Sequence, residues 1–183
     1  MELYLIRHPR PAVAPGVCYG QLDLGLAESA HTVAARLRPL LPADYALFAS
    51  PLARARLLAD ALGTPQLDPR LKEIHFGDWE GRSYDEIGRA ALDAWADAPL
   101  DFAPPGGESP RQMAARALDF LAGLRLRAPV AAVVVAHGGP LRAIAGELLG
   151  LPPERWLTLD FACGEVTRLD LHDWGTVLRW FNR

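Results

Sequence analysis

Val130-Ala131-Ala132-Val133-Val134-Val135-Ala136-His137-Gly138-Gly139-Pro140 is the stretch that decides the fold. Its first seven residues are apolar and rich in valine, the composition of a strand covered on both faces. The run then breaks into a histidine, two glycines and a proline. Beyond them Leu141, Ile144, Ala145 and Leu148 recur at helical spacing as far as Gly150.

The same grammar recurs toward the N-terminus. Leu3 to Ile6 is a short apolar run followed at once by Arg7 and His8. From Glu28 to Leu41, Val33, Ala34, Leu37, Leu40 and Leu41 share one helical face, and Pro42 stops the pattern. Tyr45 to Ala49 reads as a second strand. Ser50-Pro51 reads as the start of a helix that Ser50 caps, with Arg54 in the first turn and Gly63 at the end.

Toward the C-terminus, Ser109 and Gln112 match a capping box ahead of the stripe Met113, Ala117, Phe120, Leu121 and Leu124. Glu165 to Leu171 and Thr176 to Phe181 alternate polar and apolar residues around Asp173-Trp174-Gly175, the pattern of an edge hairpin. Strands alternating with helices predict an α/β fold, a three-layer α/β/α sandwich on a mostly parallel sheet. The expected organisation is one domain over 1–183, with a partly helical cap insertion at about 75–107, where periodicity weakens and Trp79, Tyr84, Trp95 and Phe102 accumulate.

Composition narrows the function. The chain has 183 residues, half of them hydrophobic and 22% charged, enough for one substantial core. A net charge of -3 with scattered arginines argues against a nucleic-acid partner. No segment approaches the ~20 apolar residues of a membrane helix. The apolar run before Arg7 is too short for a signal-peptide core. Cys18 and Cys163 have no metal-binding spacing and suit a reducing compartment. The expectation is a cytoplasmic protein, monomeric or homodimeric, with no membrane or nucleic-acid partner.

Arg7-His8, Arg54 and His137 each follow a strand, within a turn of its end. Ligands of open α/β sheets bind at the carboxyl ends of the strands. Arginines present a planar fork suited to phosphate oxygens, and Gly138-Gly139 at a helix start adds backbone donors. A neutral imidazole can attack phosphorus, and either His8 or His137 could do so. Glu73, Asp78, Glu80 and Glu108 are the available acids. A metal site is not expected: His8 and His137 are two potential ligands, but there is neither an HExxH motif nor a cysteine pair.

Taken in order, Leu5-Ile6-Arg7-His8-Pro9, Tyr19-Gly20-Gln21-Leu22-Asp23, Ser50-Pro51-Leu52-Ala53-Arg54-Ala55, Leu71-Lys72-Glu73 through Gly81, Gly106-Gly107-Glu108-Ser109 and Ala136-His137-Gly138-Gly139 resemble the histidine phosphatase (phosphoglycerate mutase-like) superfamily. The resemblance spans most of the chain. It implies that His8 takes up a phosphoryl group, that Arg7 and Arg54 clamp its oxygens, that His137 contacts the same oxygens, and that Glu73 moves the proton. Glu80 is then a solvated or structural acid. One departure stands out. Pro9 replaces the family's usual glycine and Arg10 its usual threonine or glutamate, so position 9 offers no backbone N–H.

Pro15 through Asp23 and the short chain look most like the bacterial α-ribazole phosphatase branch. The expectation is therefore a phosphomonoesterase acting on the 5'-phosphate of α-ribazole phosphate or adenosylcobalamin phosphate in cobalamin biosynthesis, with no cofactor. A broad small-molecule phosphatase or a mutase-type enzyme is the alternative, and a catalytically inactive phospho-ligand binding module is the alternative of another class. Tyr19, Gln21 and Gly138 are the expected substrate-binding residues. Trp79, Tyr84 and Trp95 could stack on an aromatic leaving group or pack the core. His75 is expected to support the Glu73 loop, and His31 and His172 to lie on the surface.

Overall fold

The computed structural model describes residues 1–183. Six strands form one sheet: β1 (Glu2–Arg7), β2 (Ala46–Ala49), β3 (Gln66–Leu67), β4 (Ala131–Ala136), β5 (Val166–His172) and β6 (Gly175–Trp180), in the order β3-β2-β4-β1-β5-β6. β1 to β4 run parallel, while β5 is antiparallel to both β1 and β6, as an edge hairpin requires. The helices are α1 (Ala30–Leu37), α2 (Ala53–Leu62), α3 (Tyr84–Ile87), α4 (Arg89–Asp97), α5 (Pro110–Arg127) and α6 (Gly138–Leu148). No helix is long and apolar enough to cross a membrane.

The period-two pleat of β1 divides its side chains between two cores. Leu3 and Leu5 join Phe48, Val134, Phe120, Leu121, Leu141 and Ile144 beneath α5 and α6. Tyr4 and Ile6 join Leu47, Val133, Val135, Val33, Leu37 and Leu58 beneath α1 and α2. Every residue of β4 is buried, and full burial of each valine contributes about 1.5–3 kcal/mol. The layers are helix, sheet, helix, as the alternation predicts.

Two helix ends and the start of one strand differ from the sequence reading. The helix expected over 28–41 ends at Leu37 and tightens into a 3-10 turn over Arg38–Leu40, because Pro39 lacks the N–H that would continue it. Ser50 is not the cap of α2. Leu52 takes that position, and the Ser50 hydroxyl accepts from the Leu52 N–H at 3.3 Å. Val130 lies outside β4 and is exposed. The α5 capping box forms as expected, with Ser109 and Gln112 satisfying each other's backbone N–H groups.

Residues 75–107 form a short turn at Gly77–Trp79 followed by α3 and α4. Gly77 adopts φ 56°, and the Pro105 carbonyl stands where its side chain would be, so only glycine fits. Trp79 is buried against Phe102, and Trp95 meets Phe76 edge-on with ring centroids 6.4 Å apart. Both tryptophans therefore pack within this segment, whereas Tyr84 is exposed.

Candidate active site

β2, β4 and β1 are adjacent, and the C-terminal end of each leads to one or more of the expected site residues. Arg7 closes β1 with His8 next, Ser50 follows β2 and leads to Arg54 in the first turn of α2, and His137 follows β4. His8, Arg54 and His137 are all buried. The imidazole centroids of His8 and His137 lie 5.0 Å apart.

His8 is fixed through its own neighbour. Its Nδ1 lies 2.6 Å from the Pro9 carbonyl; a proton there makes Nδ1 the donor and leaves the lone pair on Nε2. Arg54 Nε donates to that Nε2 at 3.3 Å. Burial pushes the His8 imidazole down to about 3, against the upward pull of the Pro9 bond and with help from Arg54 and Arg7. It is neutral at physiological pH, the form that carries a nucleophilic lone pair. Pro9 removes an N–H but keeps the carbonyl that sets this tautomer.

Arg54 is held by the carbonyls of Gly20 and Leu22, the latter at 2.9 Å, and its guanidinium lies 5.5 Å from the centroid of the Tyr19 ring. Arg7 donates from Nη1 to the Phe161 carbonyl at 2.6 Å, and its buried Nε has no protein partner. His137 Nε2 meets the Ser50 hydroxyl at 2.8 Å, while its buried Nδ1 has none. Burial, then the neighbouring His8 and the arginines, hold His137 well below the ordinary histidine range. The buried Arg7 Nε donor without a partner, near the Arg54 guanidinium and two imidazoles, marks a place built for an anion.

Glu73 meets the start of α6, two residues beyond His137. Its carboxylate accepts from the Gly139 N–H at 3.1 and 3.2 Å and from the Ile74 N–H at 3.0 Å. Its backbone carbonyl is held by Gln21 Nε2 at 3.1 Å and by Arg116 Nη2 at 2.9 Å. Among the other acids, Glu80 accepts from the N–H groups of Gln21, Leu22 and Phe76, tying the 19–22 loop to the Glu73 loop. Glu108 pairs with Arg116 and accepts from the His75 N–H. Both are structural here. Gly20 is required where these loops meet, because a side chain would strike the Ile74 carbonyl.

All the expected site residues gather at one end of the sheet. His31 is exposed, and His172 stacks on exposed Trp174, far from any cluster. His75 Nε2 lies 4.0 Å from Glu80, in keeping with a supporting place in the loop. The sequence reading missed Arg142. Four residues beyond Gly138 on α6, it runs back over that glycine into the space beside Arg7. A Cβ on Gly138 would lie 3.0 Å from Arg142 Nη1 and 3.6 Å from Arg7 Cζ. Its Nε donates to the Leu159 carbonyl at 2.9 Å. The i, i+4 spacing is the signal that could have found it. No three His, Cys, Asp or Glu side chains gather where they could hold a metal ion.

A parallel α/β sheet whose strand ends assemble a neutral buried histidine, two guanidinium groups and a carboxylate defines a protein that handles phosphoryl groups. Comparison with known proteins narrows this class. Residues 3–183 match the histidine phosphatase superfamily (branch 1), and the chain belongs to that superfamily. It is 35% identical over 180 residues to glucosyl-3-phosphoglycerate phosphatase of Mycolicibacterium vanbaalenii, covering 86% of this chain and 78% of the relative. Its structure is similar to the α-ribazole phosphatase from Shigella flexneri, with a TM-score of 0.90 and 27% identity over 100% of this chain and 96% of that one. It is also similar to the mycobacterial glucosyl-3-phosphoglycerate phosphatase Rv2419c, with a TM-score of 0.86 and 29% identity over 99% of this chain and 98% of that one. The protein is a hydrolase that acts on small phosphate esters through a phosphohistidine.

Proposed function

We propose that His8 carries the phosphoryl group. The observation that supports this most is the state of its imidazole, buried, neutral, with Nδ1 on the Pro9 carbonyl and Nε2 facing Arg54. Nε2 attacks phosphorus, an N–P bond forms and the ester P–O bond breaks. Glu73 gives a proton to the departing alkoxide, then takes one from the water that attacks phosphohistidine, returning His8 and inorganic phosphate. Arg7, Arg54, His137 and the Gly138 N–H hold the equatorial oxygens where negative charge is greatest. Tyr19 and Gln21 line the mouth, and residues 75–107 form the cap over the leaving group.

The substrates are small phosphate monoesters. The relatives in hand are named for esters of unlike alcohols, glucosyl-3-phosphoglycerate and α-ribazole, which favours a small-molecule phosphatase of broader range over α-ribazole 5'-phosphate alone. The second reading, an α-ribazole phosphatase, is supported by the TM-score of 0.90 to the Shigella enzyme. Phosphate release from α-ribazole 5'-phosphate, 3-phosphoglycerate, sugar phosphates and an aryl phosphate tests both. Turnover of several esters, lost in His8→Ala, supports the proposal. Turnover of the ribazole ester alone supports the second reading, and activity that survives in His8→Ala overturns His8 as the nucleophile.

A further inference from the structure

Arg7 takes its direction from the loop that precedes β5. Its Nη1 donates to the Phe161 carbonyl at 2.6 Å, and its buried Nε has no protein partner, so Nε is the donor open to a phosphate oxygen. The same loop closes on the backbone of the nucleophile, because the Gly164 N–H donates to the carbonyls of Arg7 and His8 at 3.0 and 3.1 Å. A guanidinium is a planar fork whose donors match phosphate oxygens only in a narrow range of orientations. Whatever fixes the Phe161 carbonyl therefore fixes the aim of Arg7.

Asn182 grips the chain on both flanks of that carbonyl. Its Nδ2 donates to the Asp160 carbonyl at 2.6 Å, and its Oδ1 accepts from the Ala162 N–H at 2.9 Å. One side-chain amide thus brackets Phe161, using a donor and an acceptor together, which a carboxylate does not offer. The amide is itself held in place. The Asn182 N–H donates to the hydroxyl of buried Thr167 at 3.2 Å, and Arg183 exchanges two backbone bonds with Val166 at 3.0 and 3.2 Å. Phe181 packs on buried Phe161, with ring centroids 5.0 Å apart. Asn182 adopts φ 52°, in the left-handed region that asparagine tolerates better than most side chains.

We infer that Asn182 is a positioning residue for phosphoryl transfer, aiming the Arg7 guanidinium at the phosphate by clasping the backbone on either side of Phe161. The inference rests on the proposed reaction, in which Arg7 holds the phosphate oxygens. Without the clasp, the Phe161 ring still packs in the core, but its carbonyl is free to tilt and Arg7 follows it. Groups that touch a reacting phosphate need such support, since a misplacement of ~1 Å costs up to roughly a hundredfold in rate.

The test is a double-mutant cycle on an aryl phosphate, run well below the thermal midpoint of each variant. Asn182→Gly removes the amide and leaves the backbone free to keep its φ. It should lower kcat/KM roughly tenfold and raise the inhibition constant of inorganic phosphate by a similar factor. Added to Arg7→Met, the same substitution should cost less than about twofold, because the group it positions is gone. Asn182→Asp accepts from Ala162 but cannot donate to Asp160; it should show the same merging of losses, and it carries the cycle if the glycine variant does not fold. A mere brace for the β5–β6 edge would lower the thermal midpoint and leave the phosphate inhibition constant unchanged, which would overturn the inference. Equal losses in the wild-type and Arg7→Met backgrounds would overturn it as well. Arg7→Met by itself separates the two levels. If that enzyme matches wild type, the proposed phosphate clamp falls and this inference with it; if it is impaired while the Asn182 losses persist on top of it, only the role of Asn182 falls.

Discussion

Mild acid should destabilise this fold through two imidazoles. His8 is held down to about 3 and His137 well below its ordinary value, in both cases chiefly by burial. In the unfolded chain both return to about 6.5. Between about 6.5 and 3 the unfolded state binds protons that folded His8 refuses, and for His137 the window extends downward in the same way. Stability therefore rises with pH across this range and is lost as pH falls. For His8 this is a loss of about 2 kcal/mol between about pH 7 and about pH 5, a large share of the ~5–15 kcal/mol of a typical domain, and His137 adds to it in the same direction.

Carboxylates do not mask the effect. Asp68 is lowered by its bonds from Arg70, and Asp170 is lowered by Arg168 and Arg179 in spite of burial. Their contributions are present above the unfolded value of about 3.9 and are lost as pH falls below it, outside the range from about pH 7 to about pH 5 that is compared. The assay is urea unfolding of the phosphate-free protein at about pH 7, 6 and 5, comparing wild type with His8→Ala. The substitution changes the intercept, but the loss across this pH range should shrink by about 2 kcal/mol, the part due to His8. A flat wild-type profile, or equal slopes in the two proteins, would refute the assignment of two buried neutral histidines.

Two further outcomes follow from the loops around the site. Glu73→Gln should lower kcat on alkyl phosphates by roughly 10²–10⁴, with a smaller loss on an aryl phosphate whose leaving group needs no proton. Steady-state rates on both esters check this, and an equal loss on each would remove Glu73 as the acid. Glu80→Ala leaves the N–H groups of Gln21, Leu22 and Phe76 without their acceptor. It should cost about 1–3 kcal/mol, read as a lower thermal midpoint together with reduced activity. Unchanged stability would mean that Glu80 does not tie the loops.

Much of the site was legible in the sequence because it follows strand ends. Apolar runs announced β1, β2 and β4, and Arg7, His8, Arg54 and His137 came directly after them, so finding the strands located the residues. What the sequence withheld depends on contacts between distant segments. Ser50 looks like a helix cap by its position before Pro51, yet its hydroxyl serves His137 across the sheet. Glu80 is one acid among four until the 19–22 loop arrives to use both its oxygens. Arg142 hides on a helix read for its apolar stripe, and only the bare Gly138 backbone lets it lie beside Arg7. Helix α1 ended early for a local reason, Pro39, that the apolar spacing alone overrode.

The proposed mechanism turns on phosphorylation of His8. The direct measurement is intact-mass analysis of the enzyme quenched under denaturing, non-acidic conditions during turnover of an aryl phosphate, followed by peptide mapping. The expected result is a gain of one phosphoryl group, labile to acid, on the peptide that contains His8 and absent from His8→Ala. A phosphoryl group mapped to His137 or elsewhere, or turnover without its appearance under conditions that trap it, would rule out His8 as the phosphorylated residue.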